Sequence, residues 1–259
     1  MAKKTKILFI GTVVLSGLLA CGCATTFNPA TGCNEAIFIN TASETVIGKS
    51  AAAQIEQKYK ISKDTSSISR LENIGKKVAA ASDRRDLEYK FYLIEDKTLN
   101  AFTIPGGHVY IYRGLYDRLD DDQLAAVMGH EIGHVAARHI VKKMQASLGY
   151  QLLSTVALMA YTNNQDDKKS KQAGYAAYAG ATAFNLVQLG YSRKDEYQAD
   201  ELAIKYTTGA GFDPDGMKRA LEVLKSDEEK GISVAYILRS HPYIDERINR
   251  LKTGNTYSS

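Results

Sequence analysis

His130-Glu131-Ile132-Gly133-His134 is the part of this 259-residue sequence whose residue types and spacing point most directly to chemistry. On a helix, side chains four apart share a face with Cβ atoms about 5–6 Å apart, so His130 and His134 can turn their imidazoles toward one metal ion. Glu131 is one step round. It stays out of the ion's immediate ligands yet reaches a metal-bound water, which is where a general base must be. Gly133 costs helix propensity and lets another backbone or a substrate come close. The pattern fixes only three positions, so alone it also describes two histidines on the surface of an ordinary helix. A catalytic zinc takes three protein ligands and leaves a fourth position open, so a third ligand has to come from elsewhere. Downstream, Glu196-Tyr197-Gln198-Ala199-Asp200 sets two carboxylates four apart on one helical face. Read alone, that is also what a solvated acidic face looks like. His108 and His139 lack a partner at ligand spacing and read as surface or packing residues. His241, just before Pro242, reads by itself as an ordinary loop histidine.

These residues need helices to hold them. Asp120 is a fitting N-cap with Gln123 three residues on, and the helix it opens is expected to run to about Gln145. A second helix starts near Ser192, whose Ser-x-x-Asp pattern with Asp195 resembles a cap, and stops before Gly209 and Gly211. Upstream, residues 41–60 and 65–81 have helical spacing, while 89–94, 100–104 and 108–112 read as strands, the last two joined by the turn Pro105-Gly106-Gly107. Apolar helices are expected over 148–161 and 173–190, around a polar loop at 162–171. Neither is an unbroken apolar span of the ~20 residues that crossing a bilayer requires, so they read as core helices or a surface-dipping hairpin. Asp213-Pro214 opens another helix and Pro242 the terminal one, through Leu251, with 253–259 a polar tail. No internal repeat is present.

With 44% hydrophobic and 24% charged residues, the chain has enough apolar content for one sizeable core. Its net charge of +4 falls to +1 once Lys3, Lys4 and Lys6 are set aside, and no nucleic-acid motif is present, so no nucleic acid is expected as a partner. Those lysines precede an apolar run, 7–20, too short to span a bilayer; residues 1–20 therefore read as a secretory signal peptide. Its end, Leu18-Leu19-Ala20-Cys21, resembles the lipobox of bacterial lipoproteins, in which the cysteine is acylated and becomes the new N-terminus. Cleavage at a nearby Ala-x-Ala-like site, releasing a soluble protein, is the alternative. Residues 21–40 then form a lipidated tether, rich in Gly, Thr, Asn and Pro. Cys23 and Cys33 either pair or stay free in an oxidising compartment.

Taken together, His130-Glu131-Ile132-Gly133-His134 followed by Ser192-Arg193-Lys194-Asp195-Glu196-Tyr197-Gln198-Ala199-Asp200 resembles the M48 family of zinc peptidases, in particular its periplasmic lipoprotein-type members. Asn28-Pro29-Ala30-Thr31-Gly32, the block Asn100-Ala101-Phe102-Thr103-Ile104-Pro105-Gly106-Gly107-His108, and Ser240-His241-Pro242 with Glu246-Arg247-Ile248 are similar to further blocks of that family, in its order. The resemblance covers nearly all of the mature chain. Cys33 departs from it, standing where those lipoproteins usually carry a basic residue. The resemblance implies a mostly helical α+β, zincin-like metallopeptidase domain over 41–252, with a small β-sheet beside the motif helix. It implies one Zn2+ per chain held by His130, His134 and Glu196, with Glu131 as the base. Asp200 would hydrogen-bond a ligand imidazole and fix its tautomer, and His241 would point a donor at the oxyanion. The activity implied is endopeptidase cleavage of unfolded or extended polypeptides, such as misfolded envelope proteins, with the edge of strand 100–104 offered to substrate. The rival is a chaperone-like or self-inhibited metal-binding lipoprotein. A multi-span prenyl-protein peptidase of the same family is disfavoured by the absence of transmembrane helices. Gly22, being non-acidic, favours outer-membrane attachment facing the periplasm if the source is Gram-negative.

Overall fold

The computed structural model describes residues 25–147 and 181–253, apart from Phe184 and Val187. The leader, Cys21, Cys23, the expected helix 148–161 and most of the expected helix 173–190 lie outside the described residues. Strands β1 (Thr25–Asn28) and β2 (Cys33–Ala36) are followed by helices α1 (Thr41–Lys58) and α2 (Thr65–Ala80). Strands β3 (Lys90–Ile94), β4 (Ala101–Ile104) and β5 (His108–Tyr112) come next, then α3 (Arg113–Tyr116) and α4 (Asp121–Ala136). After α4 a further helical stretch covers 139–147. Within the expected helix 173–190, the described residues 181–183, 185, 186 and 188 are helical, and α5 (Arg193–Gly209), α6 (Gly216–Glu229), α7 (Ala235–Ser240) and α8 (Ile244–Thr253) follow. The fold is α+β and mostly helical.

The sheet has strand order β3-β5-β4, with β3 parallel and β4 antiparallel to β5. Gly106 and Gly107, at φ +82° and +83°, turn the chain between β4 and β5 where a side chain would be strained. Because strand side chains alternate between faces, Phe91, Leu93, Val109 and Ile111 join one core with α2 and α4. Ile94, Phe102, Ile104, Tyr110 and Tyr112 face the other way, onto Ala51, Ala52 and Ile55 of α1. Helix α4 is buried continuously from Gln123 to Ala136, enclosed by α2, α5, α6 and β4, as befits a helix with little polar face. Its N-cap is the box read from the sequence, Asp120 accepting from Gln123 N while the Gln123 side chain accepts from Asp120 N. Ser192 and Asp195 form the equivalent box on α5. Among the described residues, no helix is long and apolar enough to cross a membrane.

Three local expectations are corrected. The motif helix does not run on to Gln145: it stops at Ala136, and Arg138 takes the left-handed conformation, φ +56°, before the chain becomes helical again at 139. A non-glycine residue there costs roughly 1–2 kcal/mol. The compensation is tertiary, since the Arg138 guanidinium reaches Ile39 O and Thr41 Oγ1, both at 3.3 Å, and lies 3.9 Å from the buried Glu44 carboxylate. Second, the stretch read as a flexible tether holds a hairpin, β1 pairing antiparallel with β2. Asn28 closes its turn by accepting from Ala30 N and donating to Glu35, and Lys142 and Gln145 of the 139–147 stretch fasten Glu35, Ala36, Phe38 and Ile39. Cys33 within it is exposed and has no disulfide partner among the described residues. Third, the terminal helix starts at Ile244 rather than Pro242, because Tyr243 sits at φ +71°.

Candidate active site

Helix α4 supplies His130, Glu131 and His134; α5 supplies Glu196 and Asp200; His241 stands at the end of α7. The two long helices pack closely because α4 presents glycines to α5. A Cβ on Gly133 would lie 3.1 Å from Ala199 O and 3.3 Å from Ala199 Cα, so the close approach expected of Gly133 is made by the backbone of α5. That contact sets how deeply Glu196 and Asp200 are carried toward the histidines.

The structure brings all the expected site residues into one cluster, none more than 3% exposed. His130 Nε2 lies 3.0 Å from His134 Nε2 and 3.2 Å from His241 Nδ1. Glu196 reaches across the histidine pair, Oε2 at 3.5 Å from His130 Nε2 and Oε1 at 3.5 Å from His134 Nε2, with His241 Nδ1 3.2 Å from Oε1. Three imidazole nitrogens and a carboxylate thus meet at one point. Tetrahedral ligands about 2.0–2.1 Å from a zinc ion stand roughly 3.4 Å from one another, so the observed spacings suit a cation of that size and an N/N/O donor set. The chemistry of the atoms agrees, because ring nitrogens 3.0 Å apart in a dry pocket need a proton or a cation between them. Glu131 Oε2 is buried with no hydrogen-bond partner among the described residues, and Glu131 Oε1 lies 3.3 Å from His241 Nε2.

Behind this centre stands a second layer. Asp200 Oδ1 is 2.8 Å from His130 Nδ1, so His130 can donate there and leave Nε2 free for the centre. Arg247, 2% exposed, donates to both Asp200 oxygens, at 2.6 and 2.8 Å, and pairs with Glu196 Oε2 at 2.8 Å. On the other side His134 Nδ1 is 2.8 Å from His139 Nδ1, and the Tyr191 ring stacks on His134 with centroids 3.7 Å apart. Burial opposes the charge on His130, as does Arg247, but Asp200 and Glu196 outweigh both and hold its pKa at about 9. Burial dominates at His134 and pushes it well below the usual histidine range. Burial likewise raises Glu131, His241 and His130 offsetting only part of the effect. Glu196 and Asp200 are lowered despite burial, Glu196 by His241 and Arg247, Asp200 chiefly by Arg247.

Three further residues of the site, His139, Tyr191 and Arg247, were given no role in it by the sequence reading. His139, read as surface or packing, is buried and faces His134, because the break at Ala137 and Arg138 turns it inward. Without a glycine or proline at that break, no local signal announces it. Tyr191 was one tyrosine among sixteen. Arg247 did leave a signal: with Ile244 and Ile248 it occupies the buried face of α8, where an arginine demands a buried partner. His108 packs against Tyr92, as a packing residue should.

Residues 66–254 match the sequence pattern that defines peptidase family M48. The chain belongs to peptidase family M48. It is 28% identical over 190 residues to the putative beta-barrel assembly-enhancing protease of Vibrio cholerae, an alignment covering 69% of this chain but 37% of that one. Metalloprotease YcaL of Escherichia coli is 26% identical over 259 residues, covering 96% of this chain and 97% of its own length. The mitochondrial metalloendopeptidase OMA1 of Schizosaccharomyces pombe is 29% identical over 183 residues, covering 68% and 50%. In this M48 chain, His130, His134, Glu196 and His241 are the described group able to hold the metal that a metallopeptidase uses. Beside them a narrow cleft of about 20 Å³ leads away from Glu131 and His241 between Val127, Leu221, Leu224 and Ile244.

Proposed function

We propose that this M48 domain is a zinc-dependent endopeptidase acting on unfolded or extended polypeptides of the cell envelope, with His130, His134 and Glu196 as ligands. The observation that carries this reading is the convergence of those ligand atoms beside a buried Glu131 carboxylate, one oxygen of which has no hydrogen-bond partner among the described residues. Zinc held there supplies Lewis acidity for a scissile carbonyl and lowers the pKa of water. Glu131 takes the proton from the attacking water and delivers it to the leaving amine. Asp200 accepts from His130 Nδ1 and fixes the tautomer that frees Nε2. His241 presents Nε2 beside Glu131 and serves as the donor to the oxyanion.

The cleft beside Glu131 and His241 is lined by apolar side chains but is narrow, so a hydrophobic side chain next to the cleaved bond enters it only if its walls part. Strand β4 is the sheet edge nearest the site, yet its residues are at most 1% exposed, so a substrate pairing with it requires the covering segments to move. The envelope assignment rests on the leader, with a lipid on Cys21 as the anchor and outer-membrane attachment facing the periplasm in a Gram-negative source. The name beta-barrel assembly-enhancing protease on one relative is in keeping with it.

A self-inhibited or chaperone-like protein with little turnover is the second reading. It is favoured by the position of His241 Nδ1, 3.2 Å from both His130 Nε2 and Glu196 Oε1, where a fourth ligand would fill the open position. Zinc-loaded protein incubated with an unfolded polypeptide separates the two. Cleavage should stop with a chelator and return with zinc, and Glu131→Gln should keep the metal while losing at least ~10²-fold in rate. Near-normal turnover in metal-replete Glu131→Gln protein, or none in the parent, would overturn the endopeptidase reading.

A further inference from the structure

Among the described residues, no carboxylate stands against His134 Nδ1. That nitrogen meets instead another imidazole nitrogen, Nδ1 of His139, at 2.8 Å, and both rings are buried, 0% and 3% exposed. Two nitrogens at that distance share one proton, so one of them donates and the other accepts. On the far side His139 Nε2 lies 3.0 Å from Gln198 Oε1 and 3.5 Å from Asp195 Oδ1. Both are acceptors, and Asp195 is held in place because its other oxygen accepts from Ser192 N and Oγ in the cap of α5. Acceptors on that side settle the proton on His139 Nε2. His139 Nδ1 is then the acceptor, the shared proton belongs to His134 Nδ1, and His134 Nε2 carries a lone pair toward His130 and Glu196.

We infer that His139 is the positioning residue for His134: it accepts the His134 Nδ1–H and thereby fixes the tautomer that presents Nε2 to the metal. Three features place it there. The left-handed Arg138 turns the chain just before it, Gln198 and Asp195 orient its far edge, and Tyr191 stacks on the ring it serves. An imidazole in this role is uncharged when it accepts, so His134 is aimed without a second buried carboxylate beside Glu196. The inference rests on the zinc reading above.

Its test is metal affinity, measured by competition with a chromophoric chelator on the full chain. Loss of a group that orients a ligand histidine typically costs 10–100-fold in metal affinity. His139→Leu should show that loss, whereas His139→Asn, which can set an amide oxygen near the position of Nδ1, should stay within a few-fold of the parent. Equal affinity in the parent and His139→Leu would overturn the role of His139 while leaving zinc binding intact. A parent that binds no zinc would overturn the zinc reading and this inference with it. A measurement on the unaltered protein does not depend on how the variants fold. Nitrogen chemical shifts of the zinc-loaded chain should show His134 protonated at Nδ1 and His139 at Nε2, and a proton on His139 Nδ1 would refute the assignment.

Discussion

His130 and His134 sit one turn apart on the same helix and face the same centre, yet opposite chemistry backs them. Behind His130 stands an ionic stack, Asp200 against Nδ1 and then Arg247 bridging Asp200 to Glu196. Behind His134 stand a neutral imidazole, His139, and the Tyr191 ring, and the partly exposed Asp195 carboxylate is reached only beyond His139, beside Gln198. Electrostatics follows the difference, since His130 is held up at about pKa 9 while burial pushes His134 far down. Glu196 has to serve both sides, and one cation, Arg247, is shared between it and Asp200. A second carboxylate behind His134 would need a second buried cation or would carry its own desolvation penalty of several kcal/mol. A neutral partner directs the ring and avoids that cost. The two sides of the site thus solve the same orientation problem, one with a carboxylate against the ligand ring and one with a neutral imidazole between ring and carboxylate.

The largest effect should come from the ionic side. Arg247→Met removes the cation shared by two buried carboxylates, and breaking a buried ion pair in this one-sided way typically costs about 3–5 kcal/mol. The urea midpoint of the metal-free protein reads it, and the midpoint should fall substantially with the slope unchanged. A midpoint like the parent's would mean that Asp200 and Glu196 find compensation elsewhere, and the contrast between the two sides would fail.

Asp200→Asn is the milder break, because the amide oxygen can still accept from His130 while the charge is gone. Zinc affinity should fall within the 10–100-fold range for such partners, and by more than in His139→Asn. In the metal-free variant the pH midpoint of His130, followed by its ring proton shifts, should drop below about 9, since Asp200 is one of the groups holding it there. Equal losses in Asp200→Asn and His139→Asn would show that charge adds nothing on the His130 side.

The ionic side was also the more legible in sequence. His130, His134, Glu196 and Asp200 stand at helical spacings, and the caps at Asp120 and Ser192 are patterns a few residues long, so local rules reach them. The neutral side depends on contacts between distant segments. Arg138 breaks the motif helix only because Ile39, Thr41 and Glu44, about a hundred residues earlier, receive its guanidinium, and no propensity near position 138 encodes that. The hairpin over 25–36 was hidden for a similar reason. Its short, mostly exposed strands show no apolar alternation, and residues 142 and 145 fasten it. Arg247 lies between these cases, since the apolar face of α8 was readable and the charge within it could have been taken as a request for a buried anion.

Tyr191 should give the smallest effect and the sharpest distinction. Its ring stacks on His134 at 3.7 Å and has Lys143 Nζ 4.7 Å from its centroid, while its hydroxyl is buried with no hydrogen-bond partner among the described residues. Tyr191→Phe keeps the stack and deletes a polar group whose unsatisfied burial costs about 1–3 kcal/mol, so stability should stay level or rise modestly. Zinc affinity should not change, because the neutral side orients His134 through His139 and ring contact, neither of which involves the hydroxyl. Turnover should not change either if His241 is the oxyanion donor. His241→Ala should then lose the ~10²–10³ in kcat typical of one preorganised donor while its KM stays near the parent's. The reverse result, a large kcat loss in Tyr191→Phe with zinc intact and a small one in His241→Ala, would move the donor to the Tyr191 hydroxyl. The neutral side would then hold a group that acts on substrate, and His241 would be left as a fourth ligand beside His130 and Glu196.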